Sequence, residues 1–189
     1  EGSAIALAAG QYLSSGQPSL VYMQNSGLGN AINPLLSLAD PEVYGVPMLV
    51  LVGWRGEPGK KDEPQHLKQG KVTEELLKSC NLPYAIIDSE TIDIHERIGS
   101  FVKKAKENKS PFFILVKKNT FEKFLPNKVQ EVDNKMSRED ALSLLVSLSS
   151  NNEIFVSTTG MISRELYEIR EYQNQSHSND FYTVGSMGH

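Results

Sequence analysis

PMLVLVGW, residues 47–54, is the longest apolar run in the chain, with no polar side chain from Met48 to Val52. A strand with one wet face alternates apolar and polar residues, whereas a strand buried on both faces reads as a continuous apolar run. Residues 48–54 are therefore predicted as a strand inside a covered sheet, and the run is far too short to cross a bilayer. Three further runs share its character: SLVYMQ at 19–24, YAIID at 84–88 and PFFILVK at 111–117. Helical spacing fills the gaps at 30–39, 71–80 and 91–107, with Pro34 tolerated as a first-turn proline. Residues 1–15 also carry helical spacing and read as mid-helix sequence. Buried strands alternating with amphipathic helices specify an α/β fold, a doubly wound parallel sheet whose binding loops lie at the carboxyl ends of its strands.

The stretch RGEPGKKDEPQH, residues 55–66, has Gly-containing turns and no hydrophobic period, and is predicted to be a long loop. From 119 to 136 the pattern dissolves around Pro126, which places a linker there between a domain at 1–118 and a second one at 137–189. Ser137 and Asp140 have capping-box spacing before the apolar stretch ALSLLVSLSS. A strand at 153–157, a turn at 158–160, a helix at 163–171 and a strand at 181–184 complete the prediction. By this count the first domain lacks its N-terminal part, and the second stops before its sheet can bury both faces.

With 19 basic and 23 acidic residues among 189, the chain carries a net charge of -4, and no cationic block is longer than two residues. Nucleic acid is excluded as a partner on that balance. No signal or membrane-spanning segment is visible. One cysteine rules out an internal disulfide framework and, with four scattered histidines, a structural zinc site. The chain thus reads as soluble and cytoplasmic.

Both halves contain one unit: an apolar strand, a turn of hydroxyl residues and glycine, then a helix, in VYMQNSG at 21–27 and IFVSTTG at 154–160. Glycine in such a turn lets main-chain N–H groups face a ligand near a helix N-terminus. The blocks QNSGLGNAINPLLSLAD (24–40), PMLVLVGWRGEPGKKDEPQHLKQGKVTEELL (47–77), STTGMISRELYE (157–168) and GSMGH (185–189) carry a further signal. Through them the whole chain resembles thiamine-diphosphate-dependent 2-oxoacid decarboxylases, as a pyrimidine-binding domain followed by the start of a diphosphate-binding domain.

That resemblance implies roles for particular residues. Glu1 becomes the carboxyl group that shares a proton with N1′ of the cofactor's aminopyrimidine, as a carboxyl in an apolar cleft can. Asn25, Ser26 and Gly27 fall on the pyrimidine side, while Thr159 and Gly160 fall where the diphosphate is received. Gly185, Ser186, Met187 and Gly188 match the turn beneath the cofactor. The cofactors implied are thiamine diphosphate and Mg2+, the metal's ligands being expected beyond His189. The reaction implied is decarboxylation of 3-phosphonopyruvate to phosphonoacetaldehyde and CO2. Arg55 is then a phosphonate clamp, Gln65 a substrate ligand, and His66 a catalytic proton donor. Lys60 and Lys61 lie on the same loop, and the alternative for it is that Glu57, Asp62 and Glu63 merely neutralise Arg55, Lys60 and Lys61 at the surface. Sulfopyruvate is the alternative substrate, and a non-catalytic nucleotide- or partner-binding module the alternative class. The partners implied are a small 2-oxoacid and a second copy of the chain, with the active site between subunits. His95, His177 and Cys80 receive no role.

Overall fold

A computed structural model of the protein describes residues 1–124, 136–150 and 152–183. The chain divides into two compact units, Glu1–Lys123 and Phe124–His189. In the first, helix α1 (Gly2–Ser15) leads to strand β1 (Ser19–Gln24), a 3-10 turn (Asn25–Gly27) and helix α2 (Leu28–Pro34), which continues as a wider π turn over Leu35–Ala39. Then come β2 (Met48–Gly53), α3 (Pro64–Ser79), β3 (Tyr84–Ile87), α4 (Ile94–Asn108) and β4 (Pro111–Val116).

The four strands form one parallel sheet in the order β1-β2-β4-β3. Crossovers between parallel strands are right-handed, so the direction of each step decides which face its helix covers. The β1-to-β2 and β2-to-β3 steps run the same way, and their helices α2 and α3 share one face with α1. Its core includes Ile5, Leu28, Leu35, Val50, Leu77 and Phe113. The β3-to-β4 step runs back, which puts α4 on the other face, where Phe101 and Ala105 meet Leu49, Phe112 and Ile114. Residues 48–52 thus feed both cores by strict alternation, which is why no polar residue interrupts them. The predicted doubly wound α/β sheet is the observed one.

Three helix starts in the first unit differ from the predicted ones by two residues or more. Helix α3 starts at Pro64 rather than Lys71, so Gln65 and His66 lie in its first turn instead of in a loop. Proline at the first position presets the helical angle, and Gly70 interrupts only the pattern, because it is buried against Gly56. Helix α2 starts at Leu28 rather than Asn30, which puts Pro34 at its end and not in its first turn. Pro34 has no N–H to offer the Asn30 carbonyl, and the next turn widens. Helix α4 starts at Ile94 rather than Thr91, since Asp93 adopts a left-handed φ of 55° just before it.

The second unit contains α5 (Arg138–Leu148), β5 (Phe155–Ser157), α6 (Met161–Tyr172) and β6 (Asp180–Tyr182), with the two strands parallel. Both arms of the Ser137–Asp140 capping box are formed. Val146, Leu166 and Ile169 make the small core. Beside it the guanidinium of Arg170 grips the fully buried carboxylate of Asp180 at 2.9 and 3.0 Å, and Tyr182 donates to the same carboxylate at 2.7 Å. Burial raises the Asp180 pKa, but the hydrogen bonds from Arg170 and Tyr182 and the Arg170 charge outweigh it, so the group ends below the usual carboxylate range. A depressed folded-state pKa contributes stability above the unfolded value of about 4, and that contribution fades as pH falls through the folded value. Circular-dichroism melts of this unit should hold level down to about pH 5 and drop below about pH 4. Asp180→Asn should reduce that acid limb without abolishing it, because Asp140, Glu153 and Glu165 of the same unit are also held below the usual carboxylate range, and an unaltered limb would remove Asp180 from the account. Residues 125–135, most of the predicted linker, lie outside the described residues.

Candidate active site at the carboxyl edge of the first sheet

Strands β1 and β2 end level with each other, Gln24 beside Gly53, and the two following turns are tied together by one buried side chain. Asn25 donates through Nδ2 to the Arg55 carbonyl at 2.8 Å and to Thr73 Oγ1 at 3.0 Å, and its Oδ1 accepts from the Arg55 N–H at 2.9 Å. The Asn25 side chain is therefore a bracket joining β1, β2 and α3, with both amide hydrogens committed. Ser26 donates to Gln24 Oε1 at 2.6 Å. Gly27 is buried against Glu1: a Cβ there would lie 2.3 Å from Glu1 Cγ and 2.7 Å from its Cδ. Only glycine lets that carboxyl group lie on the turn.

Glu1 caps α1 through its main-chain carbonyl, which accepts from Ala4 and Ile5 at 3.0 and 3.2 Å, while its side chain makes no capping bond. One carboxylate oxygen, Oε2, accepts from Asn30 Nδ2 at 3.3 Å. The other, Oε1, has no hydrogen-bond partner among the described residues. Close approach of the two segments depends on Gly2 too, where a Cβ would fall 2.7 Å from the Asn30 carbonyl oxygen.

The loop after β2 is compact. Trp54 Nε1 donates to the Gly70 carbonyl at 2.9 Å, and a Cβ at Gly70 would lie 1.8 Å from the Gly56 carbonyl oxygen. Gly56 has a φ of 66°, and its own missing Cβ would meet the His66 carbonyl oxygen at 2.0 Å. Loop and helix thus touch main chain to main chain. Asp62 gathers what remains. It accepts from Arg55 Nε at 2.9 Å and from Arg55 Nη2, from the N–H groups of Gly56 and Glu63 at 2.7 Å each, and from His66 Nδ1 at 3.1 Å. The Arg55 guanidinium holds the Asp62 carboxyl well below the usual carboxylate range, helped by those N–H groups and by His66 against the cost of burial. Asp62 in turn raises the Arg55 pKa.

Arg55 is consequently a cation already paired along one edge by Asp62, one of the neutralising acids the sequence offers, and its side chain is 43% exposed. Gln65 is half-buried and has no hydrogen-bond partner among the described residues. Lys60 and Lys61 are exposed and make no ion pair among those residues. Glu57 Oε2 is buried without a partner. The sequence presents Asp62 only as a neutraliser of this loop's cations; its contact with His66 has one signal, the four-residue spacing across a helix start that the pattern conceals.

In the second unit, Thr159 and Gly160 form the turn entering α6, with Gly160 at a φ of 103° that L side chains rarely adopt. Ser163 pins this turn from beneath, donating to the Thr158 carbonyl at 2.7 Å and lying 2.9 Å from the Ser157 hydroxyl. Gly185, Ser186, Met187 and Gly188 lie outside the described residues. Among the described residues no cluster of His, Cys, Asp or Glu can hold a metal ion, and no helix is long and apolar enough to cross a membrane. An open carboxylate oxygen on a half-buried acid, beside a glycine cradle, suits the protonatable nitrogen of an aminopyrimidine.

Residues 1–77 match the family model described as thiamine pyrophosphate enzyme, N-terminal TPP binding domain. This part of the chain is similar to that family, and its parallel α/β sheet is in keeping with it. The chain is also 33% identical, over its full length and 49% of the relative's, to phosphonopyruvate decarboxylase of Streptomyces viridochromogenes. Identity to sulfopyruvate decarboxylase of Methanosarcina acetivorans is 29%, over all of this chain and 51% of that one. The sulfopyruvate decarboxylase subunit alpha of Methanococcus maripaludis is 38% identical over 44% of this chain and 48% of its own length. The chain spans about half the length of the curated relatives it matches.

Proposed function

We propose that the protein to which this chain belongs is a thiamine-diphosphate-dependent 2-oxoacid decarboxylase, and that it converts 3-phosphonopyruvate to phosphonoacetaldehyde and CO2. One observation carries the proposal: the Glu1 carboxyl group rests on Gly27 with Oε1 open to a ligand. The full-length likeness to a phosphonopyruvate decarboxylase supports the substrate. Thiamine diphosphate, when bound, supplies a ring that accepts the electron pair of the breaking carbon–carbon bond.

The chain's own residues have separate tasks. Glu1 holds the proton shared with the pyrimidine ring, in a site where half-burial keeps water from competing for it. Asn25, Ser26 and Gly27 form the floor on that side, Asn25 by bracing the turn and Gly27 by making room for the acid. Thr159 and Gly160 offer a hydroxyl and a main-chain N–H to the diphosphate, together with Mg2+. Gly185, Ser186 and Met187, outside the described residues, are assigned to cofactor binding by the resemblance alone. The outer edge of Arg55 and the amide of Gln65 bind the substrate's anionic head, and His66 delivers a proton to its keto oxygen. We place the enzyme in the cytoplasm as a homo-oligomer whose active site lies between subunits; a relative named as a subunit alpha supports multi-subunit assembly.

Sulfopyruvate is the second reading, supported by the 29% identity over the same span. Titration calorimetry of the full-length protein with thiamine diphosphate and Mg2+ should show binding, and its absence would favour a non-catalytic nucleotide- or partner-binding module. Competing the two substrates should give a kcat/KM ratio of about 10 or more in favour of the phosphonate, within what one altered head group can earn. Equal or better use of sulfopyruvate would overturn the substrate assignment.

A further inference from the structure

We infer that Asp62 is a positioning residue for two substrate-facing groups at once, fixing which nitrogen of His66 carries the exchangeable proton and which edge of Arg55 is left for an anion. The inference deepens the decarboxylase reading of this loop and rests on it.

Its basis is the chemistry of the five groups that converge on one carboxylate. Arg55 Nε and Nη2 and the N–H groups of Gly56 and Glu63 are obligatory donors. A carboxyl group surrounded in this way is ionised and can only accept. His66 Nδ1, 3.1 Å from Asp62 Oδ1, must then be the donor in that pair, which assigns its hydrogen to Nδ1. Nε2 is left as the nitrogen that takes up and releases a proton, and it has no hydrogen-bond partner among the described residues.

The ring cannot easily turn over to offer the other nitrogen. The side chains of His66 and Asp62 are each 12% exposed. His66 also belongs to the first turn of α3, whose main chain lies against Gly56. Arg55 is handled alike: the Nε and Nη2 edge faces Asp62, so Nη1 and the outer N–H groups point away from it. A fork for an anionic head and a nitrogen for proton transfer are thus held at a set spacing by a single side chain. In the transfer itself the ring first takes up a solvent proton at Nε2 and becomes an imidazolium; the Nε2–H bond then breaks, an O–H bond forms on the substrate's keto oxygen, the electron pair stays on Nε2, and the hydrogen on Nδ1 stays hydrogen-bonded to Asp62.

Two measurements on the full-length protein with its cofactor test this. In 15N-histidine-labelled protein, at a pH where imidazoles are neutral, long-range 15N–1H correlation should show His66 protonated at Nδ1. Asp62→Asn should move that proton to Nε2, since the amide NH2 can donate where the carboxylate accepts. The same variant should lower kcat about 100-fold or more with KM within about threefold, in line with a histidine left in the wrong tautomer. In a His66→Gln background Asp62→Asn should cost kcat little more, because residues acting as a unit are not additive. Native His66 protonated at Nε2, or an Asp62→Asn variant whose KM rises while kcat holds, would overturn the inference. Should Asp62→Asn fail to fold, the native tautomer decides alone. Native protein that turns over neither substrate yet shows the Nδ1 tautomer would refute the decarboxylase reading and leave the Asp62–His66 coupling standing.

Discussion

Glu1→Gln in the full-length protein should bind thiamine diphosphate nearly as well as the native protein and lose at least about 10³-fold in kcat, the upper range for a general acid–base group. The amide is the same size, can lie on Gly27 and can still accept from Asn30, so the cradle is preserved. What it loses is the ability to hold and release a proton at the oxygen left open. Calorimetry for the cofactor and steady-state turnover for the reaction separate the two effects. Full activity in this variant would refute the role of Glu1.

Gly70→Ala should have the largest effect on stability. The added methyl would sit 1.8 Å from the Gly56 carbonyl oxygen and 2.1 Å from its carbon, atoms of a main chain that cannot swing aside. Relief would require α3 to move off the loop, breaking the Trp54–Gly70 hydrogen bond and disturbing Asn25's bond to Thr73. A loss of about 3 kcal/mol or more in unfolding free energy is expected, at the severe end of overpacking. Gly10→Ala is the control: it lies mid-helix in α1, exposed, with nothing within 4 Å of the new methyl, and should gain about 0.5–1 kcal/mol. Equal urea midpoints for native and Gly70→Ala proteins would show that the main-chain contact is not formed.

Continuous apolar runs made the four strands of the first unit legible; burial on both faces imposes that composition on residues 48–52 and 111–116, whereas β1, read from the sequence as a buried strand, leaves Leu20 and Tyr22 62% and 81% exposed on one face. The Ser137 capping box was legible for a similar reason, since its partners are three residues apart and need no tertiary context. Residues 55–66 were harder. Their order depends on glycines that touch main chain and on a carboxylate reached from five directions, and neither has a periodicity. Gly70 looks like a helix breaker until Gly56 is seen beneath it. Asn25 illustrates a different limit: its residue type suits both a ligand contact and an internal bracket, and only the positions of Arg55 and Thr73 show the bracket.

Pro34 has a reach beyond its own helix. By omitting one rung of the α2 ladder it leaves the Asn30 carbonyl facing Gly2, so the first turn of α1 seats itself on a neighbour's defect and carries Glu1 with it. Engineers seeking a sturdier protein would be tempted to mend that rung with alanine. The repair would draw the carbonyl back into its own helix and loosen the seat of the acid, exchanging placement of a proton for a firmer scaffold.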